Sequence, residues 1–268
     1  MGRLRRLDAE LVRRGLARSR QHADELLLAG RVTVSGAVAR KPATQVDPAS
    51  PIVVATDDAD PGYASRGGHK LAGALAAFAP QGLGVAGRDA LDAGASTGGF
   101  TDVLLRHGAR HVVAVDVGYG QLVWALRTDE RVTVLDRQNV RDLTADLLPY
   151  RPELVVGDLS FISLRLVLPA LRAVATPDAD LVLMVKPQFE VGRERLGAGG
   201  VVREPAQRVA AVAAVAEAAA QLGLGTRGVV ASPLPGPSGN VEYFLWLREG
   251  APPPDAGQLA AAVEEGPP

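Results

Sequence analysis

The chain has 268 residues, 47% of them hydrophobic, which allows a real core in one large domain or in a large domain with a small partner. It contains no cysteine, which excludes disulfides and thiolate chemistry, and its four scattered histidines offer no metal site. The formal net charge is −1, no run of about 18 apolar residues occurs and no secretory signal is recognisable, so we expect a cytoplasmic protein outside the membrane.

The first 41 residues differ in charge from the rest of the chain. They hold ten Arg and Lys residues against four Asp and Glu residues, a net charge of +6 that leaves −7 for the remainder. Charge asymmetry of this kind predicts a polyanion-binding module attached to a neutral or acidic body. The structural alternative is a solvated helical face.

This basic segment begins with two stretches of helical spacing, 7–16 and 17–30, followed by a hairpin that turns at Ser35-Gly36 and a last strand at 52–55. The arrangement resembles the S4 RNA-binding domain, and SRQHADELLLAGRVTVSGAVARKP carries the resemblance. Guanidinium groups around the first helical turn can contact phosphates without reading bases. The candidate RNA-binding residues are Arg3, Arg5, Arg6, Arg13, Arg18, Arg20, Lys41 and, beyond the segment, Arg66.

From residue 66 onward, short apolar strands alternate with helices. This pattern predicts an α/β domain with a mostly parallel, Rossmann-like sheet covered on both faces, and ligands at the carboxyl ends of its strands. The seven predicted strands lie near 88–93, 111–117, 131–135, 153–158, 180–186, 227–231 and 241–247. The predicted domains are an RNA-binding domain at 1–60, a linker at 61–65, the α/β domain at 66–250 and a tail at 251–268.

The first of these strands runs into a glycine-rich turn, LDAGASTGGFTDVLL. A dinucleotide fingerprint needs glycine where this turn has Ser96, and no P-loop Lys-Ser/Thr follows. Asp116 ends the next strand, 22 residues after Gly94, where an acid can bind ribose hydroxyls. A nucleoside without a pyrophosphate therefore fits, and S-adenosylmethionine (SAM) matches that description. A purely structural glycine turn is the alternative.

The candidate SAM-binding residues surround this turn and the two strands after it. We expect Asp92 near the methionine part, Asp116 at the ribose and Asp136 near the adenine, although Asp136 also suits a simple strand cap. The full set is Asp92, Gly94, Ala95, Ser96, Thr97, Gly98, Gly99, Phe100, Asp116 and Asp136.

Two of the three lysines, in a chain that otherwise uses arginine, accompany two carboxylates at predicted element ends. Period-2 alternation places Glu242 on an apolar strand face, where a lone carboxylate needs a partner. Arginine stays protonated, whereas lysine can serve as a base when desolvated. We expect Lys186 to contact a ribose 2′-hydroxyl, Asp158 to hold the lysine and face the sulfonium, and Glu242 to fix the geometry. Lys70 is expected either to orient the ribose or to lower the pKa of its hydroxyl. Which lysine accepts the proton is open.

The whole chain resembles the TlyA family, an S4 domain joined to an FtsJ-like SAM-dependent 2′-O-methyltransferase domain. SRGGHKLAGAL, LDAGASTGGFTDVLL, VDVGYGQL, DLSFISL, VKPQFEVG and ASPLPGPSGNVEYFLWL carry the resemblance. It implies methylation of cytidine ribose in 16S and/or 23S rRNA within ribosomal subunits and a link to capreomycin susceptibility. Composition favours no metal or membrane partner, and we expect a monomer, with the oligomeric state left open. The Lys-Asp-Lys-Glu tetrad of ribose 2′-O-methyltransferases falls on Lys70, Asp158, Lys186 and Glu242.

The loop at 187–202 follows Lys186 and is glycine-rich and charged, long enough to form a lid. We expect RNA against it, with Phe189 stacking on a base and Arg193 and Arg195 meeting phosphates. A solvated linker is the alternative.

Four other functions are alternatives to ribose methylation. A base N-methyltransferase has Asn/Asp-Pro-Pro-aromatic after its fourth strand, where this chain reads DLSF at 158–161. The glycine-rich turn argues against a pseudouridine synthase, and the tetrad argues against a non-catalytic RNA-binding protein. A haemolysin would need a strongly amphipathic apolar helix, which the sequence lacks.

Overall fold

The structure is a computed structural model that describes residues 4–17, 20–55, 61–192, 196–236 and 239–266. The chain divides into two compact units, Met1–Arg66 and Gly67–Pro268, and each is described by itself. In these described ranges no helix is long and apolar enough to cross a membrane. No cluster of His, Asp or Glu with metal-binding geometry occurs in the same ranges.

The first unit packs two helices on short antiparallel strands. Strand β2 (Val32–Val34) lies between β3 (Ala37–Val38) and β5 (Ile52–Val54), and β1 (Arg5–Arg6) pairs with β4 (Gln45–Val46). Leu7, Leu11, Leu27 and Val32 are fully buried in its core. The elements are β1 (Arg5–Arg6), α1 (Leu7–Arg13), α2 (Arg20–Leu28), β2 (Val32–Val34), β3 (Ala37–Val38), β4 (Gln45–Val46) and β5 (Ile52–Val54).

The second unit alternates strands and helices along most of its length. Its first half contains α3 (Gly67–Phe78), β6 (Asp89–Ala93), α4 (Gly99–Arg106), β7 (His111–Asp116), α5 (Trp124–Arg127), β8 (Val132–Asp136) and β9 (Leu154–Gly157). Its second half contains α6 (Leu168–Val174), β10 (Asp180–Val185), α7 (Pro187–Glu190), α8 (Pro205–Ala220), β11 (Leu224–Ala231), β12 (Tyr243–Glu249) and α9 (Ala256–Glu264).

The seven strands of this unit form one sheet in the order β11-β12-β10-β9-β6-β7-β8. Strand β12 runs antiparallel to both of its neighbours, and the other pairings are parallel. The predicted mostly parallel seven-stranded α/β fold is therefore confirmed. Strand order reverses between β6 and β9, which opens a crevice at their carboxyl ends.

Helices cover both faces of the sheet, as strands with continuous apolar runs require. The alanine-rich helix α8 buries Val212, Val215 and Ala219 in the core. Helix α9 lies in the segment that the sequence places in a tail, and it packs Leu259 and Val263 into the same core.

A buried carboxylate joins several segments at the end of the strands opposite the crevice. Asp180 starts β10 and is 2% exposed. It accepts hydrogen bonds from Trp246 Nε1 at 2.8 Å and Arg88 Nη1 at 2.7 Å, and Arg248 Nη1 lies 3.4 Å away. Asp180 thereby contacts both β12, through Trp246 and Arg248, and Arg88, the residue directly before β6. It joins elements that are distant in sequence.

We expect Asp180→Ala to lower the free energy of unfolding by about 3 kcal/mol, because it leaves Arg88 and the Trp246 N–H without their buried acceptor. Urea unfolding followed by circular dichroism measures the loss. The matched control is Asp129→Ala, which breaks the exposed Arg131 pair and should cost less than about 1 kcal/mol. Equal unfolding midpoints for the two variants would contradict this assignment.

Candidate active site

Sheet register places three ionisable residues at one edge of the crevice. Asp158 directly follows β9 and Lys186 directly follows β10, and the two strands are parallel neighbours. Glu242 directly precedes β12, whose first residue Tyr243 pairs with Val185 of β10. The fourth residue of the predicted tetrad, Lys70, lies in α3.

These four side chains form two close cation–anion pairs. Lys70 Nζ donates a hydrogen bond to Glu242 Oε2 at 2.5 Å, and Lys186 Nζ lies 2.6 Å from Asp158 Oδ1. Each lysine is 7% exposed and Glu242 is completely buried. Little solvent screens the Lys70–Glu242 pair, whereas the Asp158 side chain of the other pair is 23% exposed.

Lys186 Nζ has two close acceptors. Asp158 Oδ1 lies 2.6 Å away, a distance typical of a charge-assisted contact between an ammonium and a carboxylate. Lys186 Nζ also donates a hydrogen bond to Ser160 Oγ, at 2.7 Å. Sequence reasoning missed Ser160, because a serine three residues after a strand carries no signal of its own.

The turn before Glu242 is fitted closely around its carboxylate. A Cβ atom on Gly236 would collide with Glu242 Oε1. Asn240, 4% exposed, accepts from the Val202 N–H at 3.0 Å and donates to Gly200 O at 3.1 Å. The chain segment that carries Glu242 is thereby joined to the loop ahead of α8.

A cavity of about 490 Å³ lies beside this cluster. Of the predicted SAM-binding residues, Gly94, Ser96 and Asp116 line it, together with the tetrad residue Asp158. Lining residues that sequence reasoning missed are Val117, Gln121, Asn139, Val140, Leu159, Ser160, Phe161, Ile162 and Val167.

Backbone conformation explains the glycine-rich turn at the cavity wall. Gly94 has φ +87°, and a Cβ there would lie 2.8 Å from Asp158 O, so both conformation and space require glycine. The Ser96 N–H donates to Asp116 Oδ2 at 2.8 Å and the Gly118 N–H donates to Asp116 Oδ1 at 2.7 Å. These bonds fix the Asp116 carboxylate at the cavity while each oxygen keeps a free lone pair.

Asp92 is a buried acid next to this turn. Its Oδ2 accepts a hydrogen bond from Thr101 Oγ1 at 2.7 Å, whereas its buried Oδ1 has no hydrogen-bond partner among the residues that the structure describes. Burial raises the pKa of Asp92 to about 7, and the negative charges of Asp158 and Asp116 add to the rise. An unpaired acceptor of this kind suits a ligand that brings a positive charge.

The remaining predicted SAM-binding residues are not among those that line the cavity. Asp136 pairs with Asp116 across β7 and β8, and its carboxylate lies 2.9 Å from Arg127 Nη2. Phe100 is buried, with its ring 5.9 Å from that of Phe244. The backbone turn itself is formed by Ala95, Thr97, Gly98 and Gly99.

Several predicted RNA-binding arginines of the first unit are held by acids. Glu10 is completely buried, and its hydrogen bond from Arg13 at 2.6 Å, ahead of that from Arg14, lowers the pKa of the carboxyl to about 2. Arg5 lies 4.0 Å from the same carboxylate, and Arg6 pairs with Asp8 at 2.8 Å.

The other predicted RNA-binding residues have varied positions. Arg20 and Lys41 are exposed, and Arg66 is partly exposed. Phe189 packs against Phe161 with ring centroids 5.2 Å apart. Arg3, Arg18, Arg193 and Arg195 lie outside the described residues.

Comparison with known proteins agrees with this fold. Residues 63–249 match the FtsJ-like methyltransferase family and residues 5–52 match the S4 domain. The chain is 61% identical to the 16S/23S rRNA (cytidine-2′-O)-methyltransferase TlyA of Mycobacterium tuberculosis (strain ATCC 25618 / H37Rv), over 92% of this chain and 91% of that protein. It is 35% identical to Hemolysin A of Brachyspira hyodysenteriae, over 89% of this chain and 98% of that protein.

A solved structure from Streptococcus thermophilus, named as a candidate hemolysin, superposes with a TM-score of 0.79 at 37% identity, covering 98% of this chain and 95% of that one. Fold and family match together define an enzyme of the methyltransferase class. More particularly, the chain belongs to the TlyA family, in which an S4 domain precedes an FtsJ-like methyltransferase domain. The predicted family is therefore confirmed.

The raised pKa of Asp92 predicts a pH dependence of stability. The folded protein binds this proton up to about pH 7, whereas the unfolded chain releases it near 3.8, so the contribution of Asp92 to stability falls as pH rises between these values. Asp92→Asn removes the titration. We therefore expect the variant to gain stability relative to the wild type between pH 5 and about 7.5 in urea unfolding experiments.

Asp129→Asn is the matched control, because its neighbour Arg131 lowers the pKa of Asp129 and its titration lies below this window. A stability difference between Asp92→Asn and the wild type that is the same at both pH values would contradict the assignment.

Proposed function

We propose that this enzyme transfers a methyl group from SAM to the ribose 2′-hydroxyl of cytidine in 16S or 23S rRNA of ribosomal subunits in the cytoplasm. The observation that carries the proposal is the pairing of two buried lysines with two carboxylates at the crevice, Lys70 with Glu242 and Lys186 with Asp158. The name of the 61% identical mycobacterial relative supports the same substrate.

The residues beside the glycine-rich turn fit SAM. The unpaired Oδ1 of Asp92 is an acceptor suited to the positive charge of the ligand, and Asp116 presents two fixed oxygens for ribose hydroxyls. Gly94 lines the cavity without a side chain. Asp136 remains our candidate near the adenine. When bound, SAM supplies an activated methyl group on a sulfonium.

The protein's own contribution to the reaction is to place the hydroxyl and to accept its proton. Lys186 is the proposed base because it lies beside the cavity-lining residues Asp158 and Ser160. Lys70 is the proposed fixed cation that orients the ribose, since Glu242 holds it at 2.5 Å. Displacement at the methyl carbon then depends mainly on alignment of the reacting atoms.

RNA binding is proposed for residues 1–60, joined through 61–65 to the catalytic region at 66–250 and the tail at 251–268. The net charge of +6 over the first 41 residues supports this division. We propose that the enzyme acts as a monomer, and that Phe189 with the loop after it also meets the RNA.

Lys186→Ala should lower the rate of methyl transfer by at least about 100-fold, because the hydroxyl loses its proton acceptor. Tritiated SAM with isolated ribosomal subunits, followed by mapping of 2′-O-methyls, measures the loss. SAM affinity by calorimetry should change little, since Lys186 is not among the cavity-lining residues. Lys186→Arg is the matched variant that keeps the charge but cannot accept a proton, and an active Lys186→Arg enzyme would exclude the proposed base.

Replacing exposed Arg20 and Lys41 together by alanine should weaken subunit binding and flatten its dependence on salt. If each residue contacts one phosphate of duplex RNA, the slope of log affinity against log salt falls by up to about 2. Binding measured at several salt concentrations tests this. Arg131→Ala is the control, because Arg131 is an exposed arginine directly before β8, away from the strand ends of the crevice. An unchanged slope in the double variant would refute the contact.

A further inference from the structure

Lys186 Nζ contacts two oxygens on one loop. Asp158 Oδ1 lies 2.6 Å away, and Ser160 Oγ accepts a hydrogen bond at 2.7 Å. Lysine carries its nitrogen on a flexible four-carbon stem, so one acceptor alone leaves the amine free to turn about that contact. The second hydrogen bond requires an N–H to point at Ser160 and therefore restricts this rotation.

We propose that Ser160 is a positioning residue for methyl transfer, which directs the lone pair of Lys186 toward the ribose 2′-hydroxyl. The proposal rests on the function proposed above. A neutral amine has two N–H bonds and one lone pair, so anchoring one N–H on Ser160 limits where the lone pair points. In the reaction the 2′-oxygen bonds to the methyl carbon, the carbon–sulfur bond breaks with its electrons on sulfur, and the hydroxyl proton passes to Lys186 Nζ.

The loop that carries Ser160 is fixed to the segment that carries Lys186. Glu190, four residues after Lys186, accepts from Ser163 Oγ at 2.5 Å and from the Leu164 N–H at 2.7 Å. Between these contacts Phe161 has φ +63°, a conformation that an L-residue adopts only when its surroundings hold it. Donor and acceptor therefore belong to two segments tied together just beyond the site.

Ser160 also lines the cavity, which gives it access to the reacting groups. The other charged side chains of the tetrad are Asp158 on the same loop, Glu242 directly before β12, and Lys70 on α3. A change at Ser160 leaves all three in place. Its effect on the reaction can therefore be separated from the loss of a tetrad charge.

The test compares Ser160→Ala, Ser160→Thr and the wild type in single-turnover methyl transfer to isolated ribosomal subunits, over a range of pH. Ser160→Ala should lower the maximal rate on the order of 10- to 100-fold with unchanged KM for subunits and unchanged SAM affinity. A hydrogen bond to the charged amine favours the charged form, so the alanine variant should reach its half-maximal rate at a lower pH. Ser160→Thr keeps the oxygen and should restore both.

Ser163→Ala is the matched control, a serine in the same loop whose hydroxyl bonds to Glu190 instead of Lys186. It should lower thermal stability and leave the shape of the pH–rate profile unchanged. A wild-type rate in Ser160→Ala overturns the proposal, as does a loss that appears only in KM or that threonine fails to restore. If the wild type makes no 2′-O-methyl, or Lys186→Ala stays fully active, the proposed function itself fails, which is a separate result.

Discussion

The structure of the site depends on one constraint, the complete burial of the Glu242 carboxylate. A charge without solvent is tolerated only beside an opposite charge, and Lys70 meets that need at 2.5 Å. Lys70 stands near the start of the second unit and Glu242 near its end, so this contact spans 172 residues of sequence. Register between β10 and β12 then places Lys186 next to the pair, and the parallel pairing of β9 and β10 adds Asp158.

Much of this arrangement follows from local patterns in the sequence. The strands of the sheet are short apolar runs, and period-2 alternation already assigns Glu242 to a buried face that requires a cation. The scarcity of lysine draws attention to Lys70 and Lys186, although scarcity alone does not say which carboxylate each one meets. The strands β1 and β4 were not predicted, because two residues each are too few to show a period.

Side-chain detail at the cavity was beyond sequence reasoning for a different reason. Gln121 and Asn139 become lining residues only through the path of loops between strands, which apolar periodicity does not describe. Phe100 belongs to the glycine-rich motif whose first residues line the cavity. Its own ring is buried and packs on Phe244, more than a hundred residues away in the sequence. Helix α9 joins the core through Leu259 and Val263, a contact that the Pro-rich stretch before it conceals.

The two units use their positive charge differently. In the first unit, partly exposed arginines surround the buried carboxylate of Glu10. In the second unit, both lysines are buried, and each is paired with a carboxylate. Of the three lysines in the chain, only Lys41 is exposed. Amine-directed acylation or cross-linking of the native protein would consequently modify the first unit at a single lysine side chain, while the buried ammonium groups of Lys70 and Lys186 stay protected.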